Sequence, residues 1–303
     1  MGGVAFVFAG QGAQKVGMGH DLYDHSPAAR AMFDQAESVW PGVQALCFEG
    51  PADRLNQTIN TQPGLFVTDL ACAAAVEEAG ISSDGAAGFS LGEVAAAVFV
   101  GLMSFEQGFA FVQQRAEAME ACGQRSPGTM FAVLGLDRAA VEATAASVGQ
   151  AWPVNYNCPG QIAVACAVAS APALRQVVIS AGGKAIPLTV SAAFHTPLMD
   201  PAAAELAEVT AHLEFGPPQL PLYANLTAEP YGDAARLLAA QVNHPVRWQD
   251  SVEAMVTAGF DRFVEVGPGA TLSGFIRKTD GSVQTMNVND SASLAQTVQA
   301  LHA

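Results

Sequence analysis

The first residue of this chain that could do covalent chemistry is a serine set between glycines, Ser90 in Gly88-Phe89-Ser90-Leu91-Gly92. The spacing is G-x-S-x-G, the pattern of a nucleophile elbow, in which serine stands on a tight turn between a strand and a helix. Small flanking residues let the backbone reverse without a Cβ clash. The helix that follows would aim its free N–H groups at charge developing on the serine. In a chain with 29 glycines the same five residues also describe a glycine-bounded turn with an incidental serine. The partners decide between the two. Serine is a poor nucleophile at neutral pH. It needs a base within hydrogen-bond reach, a group that orients the base, and N–H donors where a tetrahedral oxyanion forms.

Of the six histidines, His195 is the candidate base. It sits in Ser191-Ala192-Ala193-Phe194-His195-Thr196-Pro197-Leu198-Met199, just past a strand and before a helix opened by Thr196-Pro197. His20, His25 and His302 lie in polar or terminal contexts, His212 on a helix and His244 beside Pro245. Candidate oxyanion donors are the main-chain N–H groups of Leu91 and Gln11. Gln11 lies in Ala9-Gly10-Gln11-Gly12-Ala13-Gln14, and elbow enzymes recruit one N–H from a loop after an earlier strand. The chemistry would be two-step acyl transfer through a serine acyl-enzyme.

Other chemistries are poorly served. The loop after the first strand is not G-x-G-x-x-G, and no acidic residue follows at dinucleotide spacing. Cys47, Cys72, Cys122, Cys158 and Cys166 are odd in number and contain no C-x-x-C pair. They read as reduced core residues of a cytoplasmic protein with no metal site and no cofactor. A net charge of −15 argues against nucleic acid or an anionic membrane as partner. No apolar run reaches the ~20 residues that span a bilayer. Met1 to Phe8 has no basic segment and reads as a first strand, not a signal peptide.

These residues need elements to hold them. Half of the 303 residues are hydrophobic and 14% are charged, enough for a large core. Val4–Phe8 predicts a buried strand, and Ser26-Pro27 opens a helix to Trp40. Leu46–Pro51 reads as a turn region, and Gly64–Glu78 as a buried helix opened by Thr61-Gln62-Pro63. Ala86–Phe89 leads into the elbow, Leu91–Val100 leaves it, and Phe105–Ala121 is a further helix. On pattern alone Arg115 is a surface arginine of that helix. From Pro127 the order becomes β-α-β-β-α-β, through Thr129–Leu134, Asp137–Val148, two strands around Asn157-Cys158-Pro159-Gly160, Ser170–Ala181 and Lys184–Thr189. That is the ferredoxin-like split unit. Pro221–Thr227 then reads as a strand, Phe263–Gly269 as the last buried strand, and Thr271–Lys278 as a helix. The expected architecture is α/β: a large parallel-sheet, α/β-hydrolase-like domain (1–125 and 191–303) with an inserted small ferredoxin-like domain (126–190).

An ordered set of segments, spread over nearly the whole chain, resembles the malonyl-CoA:acyl-carrier-protein transacylases and the related acyltransferase domains of polyketide synthases. The segments are Phe8–Gln14, Gly88–Glu93, Gln114-Arg115 with Met119, Phe194–Met199, Asn225, Gln241 ahead of Pro245–Trp248, and Glu265–Gly269. The resemblance implies that Ser90 carries the acyl group, that His195 is its base, and that the main-chain carbonyl of Gln241 orients His195. It implies Gln11 and Leu91 as the oxyanion hole, and it moves Arg115 from the surface to the binding of a malonyl carboxylate. A planar, permanently charged fork suits a carboxylate, and it would disfavour a neutral acyl group that left it unpaired. The implied partners are a coenzyme A thioester and an acyl carrier protein, and the implied state is a monomer. Phe89 departs from the histidine usual before the serine and makes the pocket wall apolar. Phe194 before His195 would crowd an α-methyl branch, favouring malonyl over methylmalonyl. Because carrier proteins are also acidic, docking would fall to local basic residues such as Arg277, Lys278 and Lys184. The alternatives are a trans-acting polyketide acyltransferase with another extender unit, an acyl hydrolase of the same fold, and a catalytically silent carrier-docking module.

Overall fold

In the computed structural model the run Val4–Phe8 is buried at every position, as a strand covered on both faces must be. The model describes residues 2–190 and 192–302. Met1, Ser191 and Ala303, with the strand start and the domain limits expected there, lie outside the described residues.

Five parallel strands form the main sheet: β1 (Gly3–Phe8), β2 (Gly85–Gly88), β7 (Leu222–Tyr223), β8 (Phe260–Val266) and β9 (Gln284–Val288), in the order β7-β2-β1-β8-β9. Strand β1 lies between β2 and β8, so the loop Ala9–Gln14 and the elbow leave the carboxyl ends of adjacent strands. In open parallel sheets that edge is where ligands bind. Four further strands form an antiparallel sheet: β3 (Gly128–Leu134), β4 (Ala151–Cys158), β5 (Gln161–Ala167) and β6 (Lys184–Pro187), in the order β4-β5-β3-β6. With helices Arg138–Val148 and Ala171–Ser180 this is the βαββαβ unit expected from the sequence.

The small sheet faces two ways because strand side chains alternate. Phe131 and Val133 pack with Val141, Leu174 and Val178 of its own helices. Met130, one residue out of phase, joins the main core, and Ala132 lines a cavity beside the elbow. Val246 ties the two parts together: its N–H donates to the Val154 carbonyl at 2.8 Å, and its carbonyl accepts from Tyr156 at 3.0 Å. Arg138 pairs with Asp250 across the same junction at 2.5 Å.

Four expectations need correction. The buried helix begins at Thr58, not Gly64, with Pro63 inside it. Pro63 has no N–H to give the carbonyl of Ile59, and Ile59 is 40% exposed, so water can reach that group. Val43–Phe48 is a helix where a turn was expected. Strand β7 has only two residues, because Ala224 and Ala228 close a turn through an N–H···O bond of 2.8 Å. Finally, β8 is followed by β9 and by helix Ser291–His302. Strand β9 escapes pattern reading because it is an edge strand of mixed polarity, Gln284-Thr285-Met286-Asn287-Val288, with only Met286 and Val288 buried.

Candidate active site

The elbow is built by close backbone approach. A Cβ on Gly92 would lie 2.2 Å from the Phe8 carbonyl oxygen, and one on Gly10 would lie 2.5 Å from that of Phe89. Only glycine lets the end of β1 and the elbow sit this close, and Gln11 and Ser90 line one cavity there. Gly92→Ala is therefore expected to cost about 1–3 kcal/mol as an overpacked backbone contact. Urea unfolding reads it, and an unchanged midpoint would mean that the loop relaxes freely.

Ser90 adopts φ 52° and ψ −103°, a strained conformation for a non-glycine residue. Asn225 clamps it from both sides. Its Oδ1 accepts from the Ser90 N–H at 2.7 Å, and its Nδ2 donates to the Gly88 carbonyl at 2.6 Å. Helix Leu91–Phe99 starts immediately after. Among the described residues, neither the Leu91 N–H nor the Gln11 N–H has a hydrogen-bond partner. The Gln11 side chain is turned away to Thr58 Oγ1 at 3.3 Å.

His195 also has a positive φ, 62°, and is buried. Its Nε2 lies 2.8 Å from Ser90 Oγ. Its Nδ1 faces two acceptors, the carbonyls of Gln241 at 2.9 Å and His244 at 3.1 Å. Carbonyls only accept, so Nδ1 carries the proton and Nε2 is the free base. Burial, aided by the Arg115 charge, lowers the imidazole to about 4. The ring is therefore neutral at pH 7 and able to take the serine proton.

Arg115 is 1% exposed, which overturns the surface placement read from pattern. One Nη2 hydrogen goes to Ser90 Oγ at 3.0 Å and the other to Gln241 Oε1 at 2.6 Å. Nη1 donates to Gln62 Oε1 at 2.5 Å, while Nε has no partner. A guanidinium has five donors, so two are unengaged here. Burial lowers its pKa to about 10, leaving it charged at neutral pH.

Two neighbouring cavities share Gln11, Phe89, Asn155 and Leu188 in their walls. The inner one, about 80 Å³, is lined by Ser90, His195, Gln11, Met119 and Phe194. The outer one, about 250 Å³, lies between the two sheets and is lined by Gln11, Asn155, Asn157, Gln161 and Phe275. Asn155 Oδ1 and Asn157 Oδ1 are buried without partners. Phe89 lines both cavities and packs edge-on against Trp248 with ring centroids 5.6 Å apart, so the wall there is apolar.

Sequence reasoning gave no role to Gln62, Glu93, Asn225 or Tyr231. Glu93 and Asn225 belong to the resembling segments, so their positions were marked although their contacts were not. Arg277 turns to Thr285 Oγ1 at 2.6 Å, whereas Lys278 Nζ reaches Gln161 Oε1 at 3.4 Å, beside the outer cavity. Lys184 is exposed. All five cysteines are buried and free. No described helix is long and apolar enough to cross a membrane.

Residues 5–301 match the acyl transferase domain family. The malonyl CoA-acyl carrier protein transacylase of Bacillus subtilis (strain 168) is 36% identical over 310 residues, covering 99% of this chain and 98% of its own. The polyketide biosynthesis protein ThaF of Burkholderia thailandensis is 38% identical over 280 residues, which are 90% of this chain and 24% of ThaF. A solved malonyl-transacylase in complex with its type II PKS acyl-carrier protein superposes with a TM-score of 0.94 at 34% identity, covering 98% of this chain and 99% of that one. With a serine–histidine pair on an elbow, two unengaged N–H donors beside it and full-length relatives of one kind, the chain belongs to the acyl transferase domain family, among the malonyl CoA-acyl carrier protein transacylases.

Proposed function

We propose that this protein moves a malonyl group from malonyl-CoA to the phosphopantetheine thiol of an acyl carrier protein through a Ser90 acyl-enzyme. The observation that carries the reading is the buried Arg115 guanidinium, 3.0 Å from Ser90 Oγ and with donors to spare. His195 Nε2 takes the hydroxyl proton as Oγ attacks the thioester carbonyl, and returns it to the departing thiolate. The N–H groups of Gln11 and Leu91 hold the oxyanion, and the free malonyl carboxylate pairs with Arg115. The carbonyl of Gln241 keeps His195 in its base tautomer. In the second step the carrier thiol gives its proton to His195 and attacks the Ser90 ester; the Oγ–carbonyl bond breaks, His195 returns the proton to Ser90 Oγ, and malonyl leaves on the carrier. No metal or organic cofactor enters this scheme.

The pantetheine arm fits the outer cavity, where the unpartnered oxygens of Asn155 and Asn157 would accept from its amide N–H groups. Carrier docking falls to Lys278 at that cavity and to Lys184, short-range cations on an otherwise acidic surface. The buried free thiols fit the cytoplasmic setting expected from the sequence. Intact-protein mass spectrometry after incubation with malonyl-CoA tests the reading. One malonyl equivalent on Ser90, transferable to carrier protein, is the expected result. Release as free malonate at the same rate would indicate a hydrolase, and an unmodified serine would exclude acyl transfer altogether.

Phe194 is buried and lines the inner cavity beside Ser90. Phe194→Ser should make room for an α-methyl branch. Its kcat/KM for methylmalonyl-CoA relative to malonyl-CoA is expected to rise roughly 10-fold or more, the usual worth of a methyl-sized pocket. Competition between the two thioesters measures it, and an unchanged ratio would remove Phe194 as the selectivity element.

A further inference from the structure

Glu93 is fully buried three residues after the nucleophile and takes no part in the acyl transfer described above. Its carboxylate is nevertheless the node at which the site's supports meet. Oε1 accepts from Tyr231 Oη at 2.6 Å and from the Asn225 N–H at 3.2 Å. Oε2 accepts from Gln241 Nε2. The same Gln241 amide nitrogen donates to the Ser90 carbonyl at 2.8 Å, and the amide oxygen accepts from Arg115 at 2.6 Å.

We propose that Glu93 is a positioning residue that sets the orientation of the Gln241 amide and thereby presents the Arg115 guanidinium to the carboxylate of the acyl group. The inference rests on Arg115 as the carboxylate anchor. The logic is one of donors and acceptors. Arg115 can only donate, while the Ser90 carbonyl and an ionised Glu93 can only accept. A Gln241 amide among these three has one satisfactory orientation, oxygen to Arg115 and nitrogen to the other two. In Glu93→Gln the new amide must keep its oxygen toward the donors Tyr231 and Asn225, which turns its NH2 toward the NH2 of Gln241. Either two donors then face each other, or Gln241 flips and sets its NH2 against Arg115. The facing donors push the Gln241 amide off its position, and the flip removes one of the three acceptors that hold Arg115.

Protonation of Glu93 weakens the same acceptor: a proton on Oε2 sets a donor against the Gln241 NH2, and one on Oε1, donated to Tyr231 Oη, leaves Oε2 an uncharged and weaker acceptor. Burial pushes its carboxyl up to about 7, against hydrogen bonds from Tyr231, Gln241 and Asn225 and the charge of Arg115. The titratable and charged groups that face it are Arg115 from helix Phe105–Arg125, Tyr231 from the segment after β7 and, across Gln241, His195. The carboxylate form, present above about 7, is the one that orients Gln241, so carboxylate recognition falls as pH drops through that value. His195 titrates lower, at about 4.

The test compares kcat/KM for malonyl-CoA and acetyl-CoA across pH in the wild type, Glu93→Gln and Tyr231→Phe. In the wild type the malonyl profile is expected to have an acid limb near 7. Glu93→Gln should lower the malonyl-to-acetyl ratio at least 10-fold and abolish that limb. Tyr231→Phe removes one donor to the carboxylate and should move the limb to higher pH; it decides the matter alone if Glu93→Gln does not fold. A folded Glu93→Gln enzyme that keeps both the ratio and the limb overturns the proposal, as does a limb unmoved in Tyr231→Phe. A wild type that does not prefer malonyl to acetyl would instead overturn the role of Arg115, and this inference with it.

Discussion

Ser90→Ala is expected to lose the malonyl adduct entirely and to lower carrier malonylation by on the order of 10⁴–10⁶-fold. The size follows from what the site retains. The unengaged N–H groups of Gln11 and Leu91 would still hold a carbonyl oxygen, and Arg115 would still hold a carboxylate. Among the described residues no other nucleophile is hydrogen-bonded to His195 Nε2, and the Cys thiols are buried. Removing Oγ also leaves the backbone strain of the elbow in place, because Asn225 fixes that turn through the main chain of Ser90 and Gly88. The variant should therefore fold with a near-native unfolding midpoint. Intact-mass measurement with malonyl-CoA reads the adduct. Malonylation of Ser90→Ala at the wild-type rate would require direct thiol attack within the complex and would end the acyl-enzyme scheme.

Arg115→Ala carries the second large effect. Breaking a buried, hydrogen-bonded charge pair by deleting one partner costs ~3–5 kcal/mol, or about 10²–10⁴-fold in kcat/KM for malonyl-CoA. Acetyl-CoA has no carboxylate to lose, so the malonyl-to-acetyl ratio should fall by about 10²-fold. The pH dependence has a fixed sign as well. The Arg115 charge lowers both His195 and Glu93, and each is needed in its deprotonated form. Without that charge His195 titrates higher and its limb, near 4 in the wild type, moves to higher pH, while the limb near 7 disappears because Glu93 then has no arginine to present. Arg115→Lys keeps a charge but lacks the fork and is expected to fall between the two. Steady-state kinetics with both thioesters measures this, and a ratio unchanged in Arg115→Ala would remove the arginine from substrate recognition.

The expected architecture was legible wherever a local rule operates. Ser26 caps its helix by accepting from the Ala29 N–H at 3.1 Å, as Ser-Pro at a helix start foretells. The strand–helix alternation foretold the parallel sheet, and the Pro159-Gly160 turn foretold the β4–β5 hairpin. Local rules failed where neighbours overrule them. Thr61-Gln62-Pro63 reads as the opening of a helix body at Gly64, yet Thr61 and Gln62 are already buried inside a long helix that starts at Thr58. Strand β9 is half polar and becomes a strand only because β8 offers it a paired edge.

The sequence by itself determined a tight glycine-bounded turn at Ser90. Glycine at 88 and 92 and serine at 90 specify a turn that few other residues could make, because the constraint is steric and acts within a few residues. It also marked His195, through its place after the inserted unit. Only the tertiary structure decided what surrounds them. Arg115 has no periodicity that distinguishes it from an exposed helix residue. Its burial depends on Gln62 from a preceding helix and Gln241 from 126 residues later, each supplying an acceptor. Burying a charge is tolerable only when such partners converge, and partners so far apart in the chain leave no local pattern. The same holds for Glu93, a helix-start carboxylate on paper and, in the fold, the acceptor that orients the residues around Ser90.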